Sequence, residues 1–158
     1  MPSKYTITRF KLEDIDKMNV RKEHKAEALF IRDNVTYHDI YLNGFPFYTL
    51  QYENVPILIY GFHNSGVGTY SPLVLVAEEI SSHKFAVIRA LFKYAVEVIG
   101  SDCRRLEAYV KVEDAPAKRL AEMFGFEMIG LRRNSTLEGG DEIIYERLQF
   151  GRVTNGSK

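Results

Sequence analysis

The chain of 158 residues has one cysteine, no tryptophan and no excess charge of either sign. A lone Cys103 excludes a disulfide framework within the chain, and this is typical of proteins from a reducing compartment. Nucleic-acid-binding domains usually carry a basic excess or stripe, whereas here 21 basic residues balance 21 acidic ones. No apolar run reaches the roughly 18 residues of a membrane helix, and residues 1–10 lack the apolar segment of a signal peptide. We therefore expect a cytoplasmic protein with no nucleic-acid or membrane partner.

The chain does have enough apolar residues for one core, since 46% of its residues are hydrophobic. We predict one domain over residues 1–149 and a flexible polar tail over residues 150–158. Alternating residues or apolar runs predict strands at residues 4–10, 47–52, 57–62, 72–79, 104–112 and 142–148, and a further strand that begins at 126. The glycine-containing residues 63–71 are predicted as a flexible loop.

Helical spacing predicts two pieces over residues 11–34, broken near 19–21, a long helix over 81–100 and a short helix over 114–124. Ser81 or Ser82 is the predicted N-cap of the long helix, and Gly100 its end. Its predicted apolar stripe consists of Ile88, Leu91, Phe92, Ala95, Val98 and Ile99.

This order of elements predicts an α/β (α+β) fold. The strand–helix–strand unit over residues 72–112 should be a right-handed parallel crossover, and the flanking hairpins are antiparallel. We therefore expect a mixed, mostly antiparallel sheet of six to seven strands, with a central parallel pair and helices on both faces.

The stretch from Asp114 to Gly130, "DAPAKRLAEMFGFEMIG", carries the clearest motif. Asp114 is a good N-cap, Pro116 suits the first helical turn, and Gly125 suits the C′ position that ends a helix. The motif and the order of elements resemble the GNAT N-acetyltransferases, in which this stretch typically reads Asn-x-x-Ala-x-x-Leu-Tyr-x-x-x-Gly-Phe. Here Asp114 stands at the Asn position and Ala121 at the Tyr position, whereas Ala117, Leu120, Gly125 and Phe126 match. The resemblance covers about residues 4–148 and implies acetyl-CoA as cosubstrate.

Three stretches show a narrower likeness to small GNAT-like proteins of tailed phages: "VRKEHKAEAL", "LNGFPFYTL" and "RLEAYVKVEDAPAKRLAEMFGFEMIG". This likeness implies a virion or accessory protein, located in the host cytoplasm or in the virion.

The resemblance also assigns residues to the cofactor. GNAT proteins carry Arg/Gln-x-x-Gly-x-Gly/Ala before the long helix, where backbone amides approach the pyrophosphate. In this chain Lys84 and Ala86 stand where the glycines are usual, and Ile88 stands at the last small position. The positions implied to contact acetyl-CoA are Val74, Val76, Ser82, His83, Lys84, Ala86, Asp114 and Ala117.

Acetyl transfer to an amine benefits from a base that removes a proton and an acid that protonates the thiolate. Glu78 or Glu79, at the end of the buried strand, and His83 are candidate bases, and Glu79 is the preferred carboxylate. Tyr109 is the candidate acid in place of the absent Tyr. Each has a structural alternative: solvated carboxylates, a surface or capping histidine, and a tyrosine that packs on the sheet. The four histidines show no metal-ligand spacing, so no metal site is predicted.

Two functions follow. The first is an acetyl-CoA-dependent N-acetyltransferase that acts by direct transfer on a small-molecule or protein amine. The alternative is a non-catalytic GNAT-like phage protein that binds a protein partner, and a homodimer is a further possibility. An open slot between the strands of Val76 and Ala108 would favour the enzyme, and a slot filled by Phe85 or Ile88 would favour the binding protein.

Overall fold

A computed structural model describes residues 3–34, 47–95 and 103–148. The strands are β1 (Tyr5–Arg9), β2 (Tyr48–Tyr52), β3 (Val55–Gly66), β4 (Thr69–Val76), β5 (Arg105–Lys111), β6 (Glu127–Arg132) and β7 (Glu142–Leu148). The helices are α1 (Glu13–Lys17), α2 (Lys25–Asn34), α3 (Lys84–Tyr94) and α4 (Ala115–Met123), with 3₁₀ segments at Lys22–His24 and Glu78–His83. The predicted tail at residues 150–158 and the predicted helix end at Gly100 lie outside the described residues.

The seven strands form one sheet in the order β1-β2-β3-β4-β5-β7-β6. Only β4 and β5 pair in parallel, and the other described pairs are antiparallel. The predicted mixed sheet with a central parallel pair is therefore confirmed. None of the helices in the described ranges is long and apolar enough to span a membrane.

Helices pack on both faces of the sheet, because successive side chains of a strand point to opposite sides. On one face, Tyr94 of α3 stacks on Phe62 with ring centroids 5.2 Å apart and also contacts Tyr60. On the other face, the buried Thr49 hydroxyl donates to Asp14 of α1 over 2.7 Å. Between the two layers, Ile57, Leu58 and Ile59 of β3 are almost completely buried.

The prediction of a flexible loop over residues 63–71 is wrong. Strand β3 continues to Gly66 and β4 begins at Thr69, so these residues form a long hairpin with His63 opposite Ser71. The turn consists of Val67 and Gly68, and Gly68 has a φ of +70°, which a glycine adopts without strain. Here the glycines indicate a tight turn between two paired strands, and residues 63–67 on the β3 side of the hairpin are exposed.

The start of the long helix also differs from the prediction. A 3₁₀ segment, Glu78–His83, begins directly after β4, and α3 starts at Lys84 without a side-chain cap. Ser81 and Ser82 therefore lie inside the 3₁₀ segment and do not cap α3.

The predicted stripe of α3 is shifted around the helix axis. Val87, Ala90 and Tyr94 are buried, whereas Phe92 is 53% exposed. Ala95 is buried as expected, and Val98 and Ile99 lie outside the described residues. Ile88 and Leu91 line a cavity beside β4 and β5.

The predicted break near residues 19–21 is confirmed, and it brings the connection between α1 and α2 to the end of β4. Val20 pairs with Ala77 in an isolated antiparallel bridge, and the Arg21 N–H donates to the Val76 carbonyl over 2.8 Å. The side chains of Arg21 and His24 consequently reach Asp114, just after β5, and Val76 of β4.

Candidate functional site

The two parallel strands separate soon after they meet. Within the described sheet, their register contains two pairs, Thr69 with Arg105 and Tyr70 with Leu106. Because the Gly68 carbonyl accepts from Arg105 N–H, the alternation of the strand turns the backbone groups of residues 70, 72, 74 and 76 towards β5. Pro72 has no N–H at one of these positions, so β4 cannot donate there. The cleft between the strands opens at this point.

A cavity of about 820 Å³ follows the cleft through the sheet. Its apolar middle includes Val74 and Ala108, on the facing edges of β4 and β5. Towards α3 and α4 it is lined by Leu91, Leu120 and Phe124. Phe85 is 87% exposed and is absent from the lining, and Ile88 forms part of the wall. The cleft is therefore an open slot between the two helices.

The other end of the cavity is polar, and the connection between α1 and α2 supplies much of it. His24 is 16% exposed and accepts a hydrogen bond at Nδ1 from the Val76 N–H over 3.2 Å. Its Nε2 lies 3.5 Å from Asp114 Oδ2. His24 thus connects the end of β4 to the start of α4.

Asp114 is the most highly connected carboxylate of the site. It is 2% exposed, and Oδ1 accepts from Arg21 Nη2 over 2.6 Å and from the Ala117 N–H over 3.1 Å. The second of these bonds confirms Asp114 as the N-cap of α4. Burial alone would raise the pKa of Asp114, but the hydrogen bonds from His24, Ala117 and Arg21 outweigh burial and lower the pKa to about 2. Asp114 is therefore ionised at neutral pH.

A second buried ion pair lies beside the first. The Lys111 side chain is 7% exposed, and its Nζ lies 2.9 Å from Glu27 Oε1 and donates to the Glu23 carbonyl. Burial lowers the pKa of Lys111, but Glu27, Glu138 and Glu113 raise it by more than burial lowers it. The pKa of Lys111 therefore lies above its ordinary value. Glu23 also accepts from Arg21 Nε over 2.9 Å. The cations Arg21 and Lys111 are thus both neutralised within the site.

Two other cations of the lining have no such partner. Lys84 is the first residue of α3, and Arg119 lies in α4. In the part of the chain that the structure describes, neither side chain forms an ion pair. They lie where the helices flank the slot, so an anionic group there would find two available positive charges.

The structure places five of the predicted cofactor positions around the cavity: Val74, Val76, Lys84, Asp114 and Ala117. Ser82, His83 and Ala86 are not part of the lining. His83 instead contacts Tyr52 with ring centroids 4.7 Å apart, and its Nδ1 hydrogen-bonds the Tyr5 hydroxyl over 2.9 Å. A 3₁₀ segment uses amides in internal bonds, so Glu78–His83 offers fewer free amides than an open glycine loop would.

Of the two remaining predicted catalytic residues, Tyr109 lines the cavity and Glu79 does not. The Tyr109 side chain points to the face opposite Ala108, its hydroxyl donates to Glu107, and the Arg132 guanidinium lies 4.2 Å from its ring centroid. Glu79 is partly exposed and accepts from Asn19 over 3.4 Å. Their catalytic roles stay predictions. Glu78 lines the cavity and accepts from the Lys22 N–H over 2.8 Å.

Sequence reasoning missed Arg21 and His24. His24 stands between charged residues, which is typical of a solvated helix face, and Asp114 lies 90 positions further along the chain. The sequence feature that could have located them is the break between α1 and α2. Because the chain bridges to the end of β4 at Val20, the residues that follow Val20 lie at the cleft.

No protein-family model matches the chain, and no curated protein matches its sequence. Solved structures do match its fold. Ard1 from Thermoplasma volcanium is 14% identical with a TM-score of 0.68, over 92% of this chain and 98% of that one. The ribosomal-protein-S18-alanine N-acetyltransferase from Escherichia coli is 19% identical with a TM-score of 0.65, over 98% and 99%.

An acetyltransferase of the GNAT family from Bacillus anthracis is 18% identical with a TM-score of 0.63, over 92% of this chain and 95% of that one. At these identities the likeness shows the fold. The chain has the fold of GNAT-family N-acetyltransferases, as the sequence resemblance implied.

Proposed function

We propose that the chain is an acetyl-CoA-dependent N-acetyltransferase that transfers the acetyl group directly to the amine of a small molecule or a protein. The open slot between β4 and β5 carries this proposal. A slot filled by Phe85 or Ile88 would have favoured the partner-binding alternative. Phe85 is 87% exposed and Ile88 forms part of the wall of the slot, which supports a slot that is available to a ligand.

The residues of the cavity suit the parts of acetyl-CoA. Leu91, Leu120 and Phe124 offer an apolar channel for the pantetheine arm. The alternation of β4 directs the Val74 N–H into the cleft, where it is a donor for a carbonyl of the arm or of the acetyl group. Lys84 and Arg119 provide positive charge for the phosphates, in place of the missing glycine loop.

Different parts of the cavity hold the two substrates of the transfer. The slot holds the thioester in line with the polar end of the cavity, and the groups around His24 and Asp114 receive the amine. When the amine attacks the carbonyl carbon, backbone N–H groups of β4 stabilise the negative charge that develops on the carbonyl oxygen. The thiolate of CoA then leaves, and no covalent enzyme intermediate is formed.

Calorimetric titration with acetyl-CoA and with CoA tests the proposal. We expect a dissociation constant in the micromolar range, which corresponds to about −8 kcal/mol. Lys84→Gln should weaken binding, whereas Lys93→Gln, at the far end of α3 and outside the cavity lining, should not.

Absence of heat and of a thermal shift at high ligand concentration would overturn the enzyme proposal. The alternative, a non-catalytic phage protein with a protein partner, would then be tested by pull-down. If acetyl-CoA binds, a screen of amines and peptides that follows CoA release identifies the acceptor.

A further inference from the structure

His24 has the geometry of a neutral imidazole that is held by a carboxylate. The Val76 N–H is a donor only, so His24 Nδ1, which accepts from it over 3.2 Å, carries a lone pair and no proton. The ring proton therefore resides on Nε2, which faces Asp114 Oδ2 at 3.5 Å. A carboxylate behind an imidazole fixes its tautomer and stabilises the imidazolium that forms when the ring takes up a proton.

The other charged groups around His24 are already committed to partners. Arg21 is bound by Asp114 and Glu23, and Lys111 by Glu27. Asp114 is ionised and accepts hydrogen bonds from Arg21 and the Ala117 N–H, so it is itself a poor proton acceptor. Glu78, a candidate base that also lines the cavity, is exposed and accepts from the Lys22 N–H over 2.8 Å. His24 is only 16% exposed, and the lone pair of its neutral ring lies at the cleft.

The Val76 N–H, which donates to the lone pair of His24 Nδ1, belongs to the proposed acetyl-CoA site. The Val76 N–H lies on the edge of β4 that faces the cleft, two residues beyond Val74. If an acyl oxygen takes this N–H, His24 Nδ1 is released at the place where the acyl group is held. In the structure, the hydrogen bond from the Val76 N–H occupies this lone pair.

We propose that His24 is the general base for the acceptor amine, that Asp114 is its positioning residue, and that entry of the acyl donor frees His24 by taking over the Val76 N–H. This inference rests on the proposed acetyl transfer. In the step, the amine nitrogen bonds to the thioester carbonyl carbon and loses a proton to His24 Nδ1. The C–S bond breaks, CoA leaves with the electron pair, and the proton on His24 passes to the thiolate or to solvent.

The first test is NMR spectroscopy of the whole, uniformly labelled chain and needs no acceptor. Long-range ¹H–¹⁵N spectra without ligand should show His24 at neutral pH with its proton on Nε2 and with Nδ1 as an acceptor. Saturating acetyl-CoA should shift the His24 Nδ1 and Val76 amide signals together. His24→Gln provides the assignment. A doubly protonated His24 without ligand, or unchanged His24 and Val76 signals at saturation, would overturn the inference.

The second test is turnover of acetyl-CoA, followed by thiol release, with water and with n-propylamine as probe acceptors. Loss of a general base typically costs about 100-fold or more in kcat, so His24→Gln should lower kcat by that factor without weakening acetyl-CoA binding. Asp114→Asn should lower kcat less. The matched control is His63→Gln, an exposed residue of β3 outside the cavity lining.

The two tests separate this inference from the proposed function. If calorimetry detects no acetyl-CoA binding, the proposed function fails. If acetyl-CoA binds but the His24→Gln and wild-type kcat values agree, only the role of His24 fails. If neither probe acceptor is consumed, the joint NMR response of His24 and Val76 to acetyl-CoA decides.

Discussion

Replacement of Asp114 by Asn should destabilise the protein, although Asn is the residue usual at this position in the GNAT pattern. The side chains have nearly the same shape, and the Asn carbonyl can still accept from the Ala117 N–H, so the cap of α4 is kept. What is lost is the negative charge between Arg21 Nη2, at 2.6 Å, and His24 Nε2, at 3.5 Å.

The size of the effect follows from the pKa of Asp114. A decrease from the ordinary value of 3.8 to about 2 corresponds to about 2 kcal/mol of stability at neutral pH. Removal of one partner of a fully buried pair costs about 3–5 kcal/mol. Arg21 is 12% exposed and keeps Glu23 as a second partner, so we expect the lower figure, about 2 kcal/mol.

The pH dependence has a defined sign. Because the pKa in the folded state is lower than in the unfolded state, the stabilisation by Asp114 is complete above about pH 5 and is lost as the pH falls towards 2. Urea unfolding of the wild type and Asp114→Asn should therefore give a difference of about 2 kcal/mol at pH 7 that shrinks steadily below pH 4.

Asp16→Asn is the matched control. Asp16 also pairs with an arginine, Arg32 at 3.2 Å, but it is 57% exposed, so its loss should cost less than about 1 kcal/mol. Equal stability of Asp114→Asn and the wild type at pH 7 would refute the reasoning. So would a difference between them that stays constant from pH 7 to pH 2.5.

Three further predictions concern the slot and its frame. Gly125→Ala should lower the free energy of unfolding by about 1 kcal/mol in urea titrations, because Gly125 ends α4 with a φ of +79°; unchanged stability would contradict this. Pro72→Ala restores an N–H on the side of β4 that faces β5, so calorimetry should show weaker acetyl-CoA binding while the protein stays folded, and unchanged affinity would mean that Pro72 does not keep the cleft open. Arg119→Gln should weaken binding of CoA but not of pantetheine, because it removes a charge near the proposed phosphates, and equal losses for both ligands would argue against that placement.

The fold was largely predictable because its signals are local. Alternating residues in β5 and β7, and the sequence from Asp114 to Gly125, each specify an element without help from the rest of the chain. The hairpin over residues 63–71 was not predictable in the same way. Its polar residues satisfy their backbone groups by pairing across the turn, and the strand pattern is hidden because consecutive residues 63–67 are all exposed.

The site was less predictable than the fold, since its polar groups come together from distant parts of the chain. Lys84 and Val76 could be placed from the family pattern because they lie on elements that the pattern defines. The pairing of His24 with Asp114 depends on how the connection between α1 and α2 crosses the end of β4, and no spacing in the sequence reports that crossing. The exposed position of Phe85 likewise depends on where α3 begins, which the 3₁₀ segment alters.

The aspartate that replaces the usual Asn at position 114 and the two residues that the sequence did not predict, Arg21 and His24, belong to one cluster. A buried carboxylate needs compensation: Arg21 supplies the positive charge, and the neutral His24 presents its Nε2–H to the other carboxylate oxygen. An Asn at this position would not need a cation beside it. Arg21 also pairs with the Glu23 carboxylate, and the backbone carbonyl of Glu23 accepts a hydrogen bond from Lys111. Glu23 therefore connects the two ion pairs. The exchange of Asn for Asp therefore converts a capping position into the centre of an ion-paired cluster at the mouth of the slot. If that cluster also orients His24, Asp114→Asn changes both stability and catalysis, whereas Arg21→Gln affects stability and leaves the Nε2–H tautomer of His24 in place.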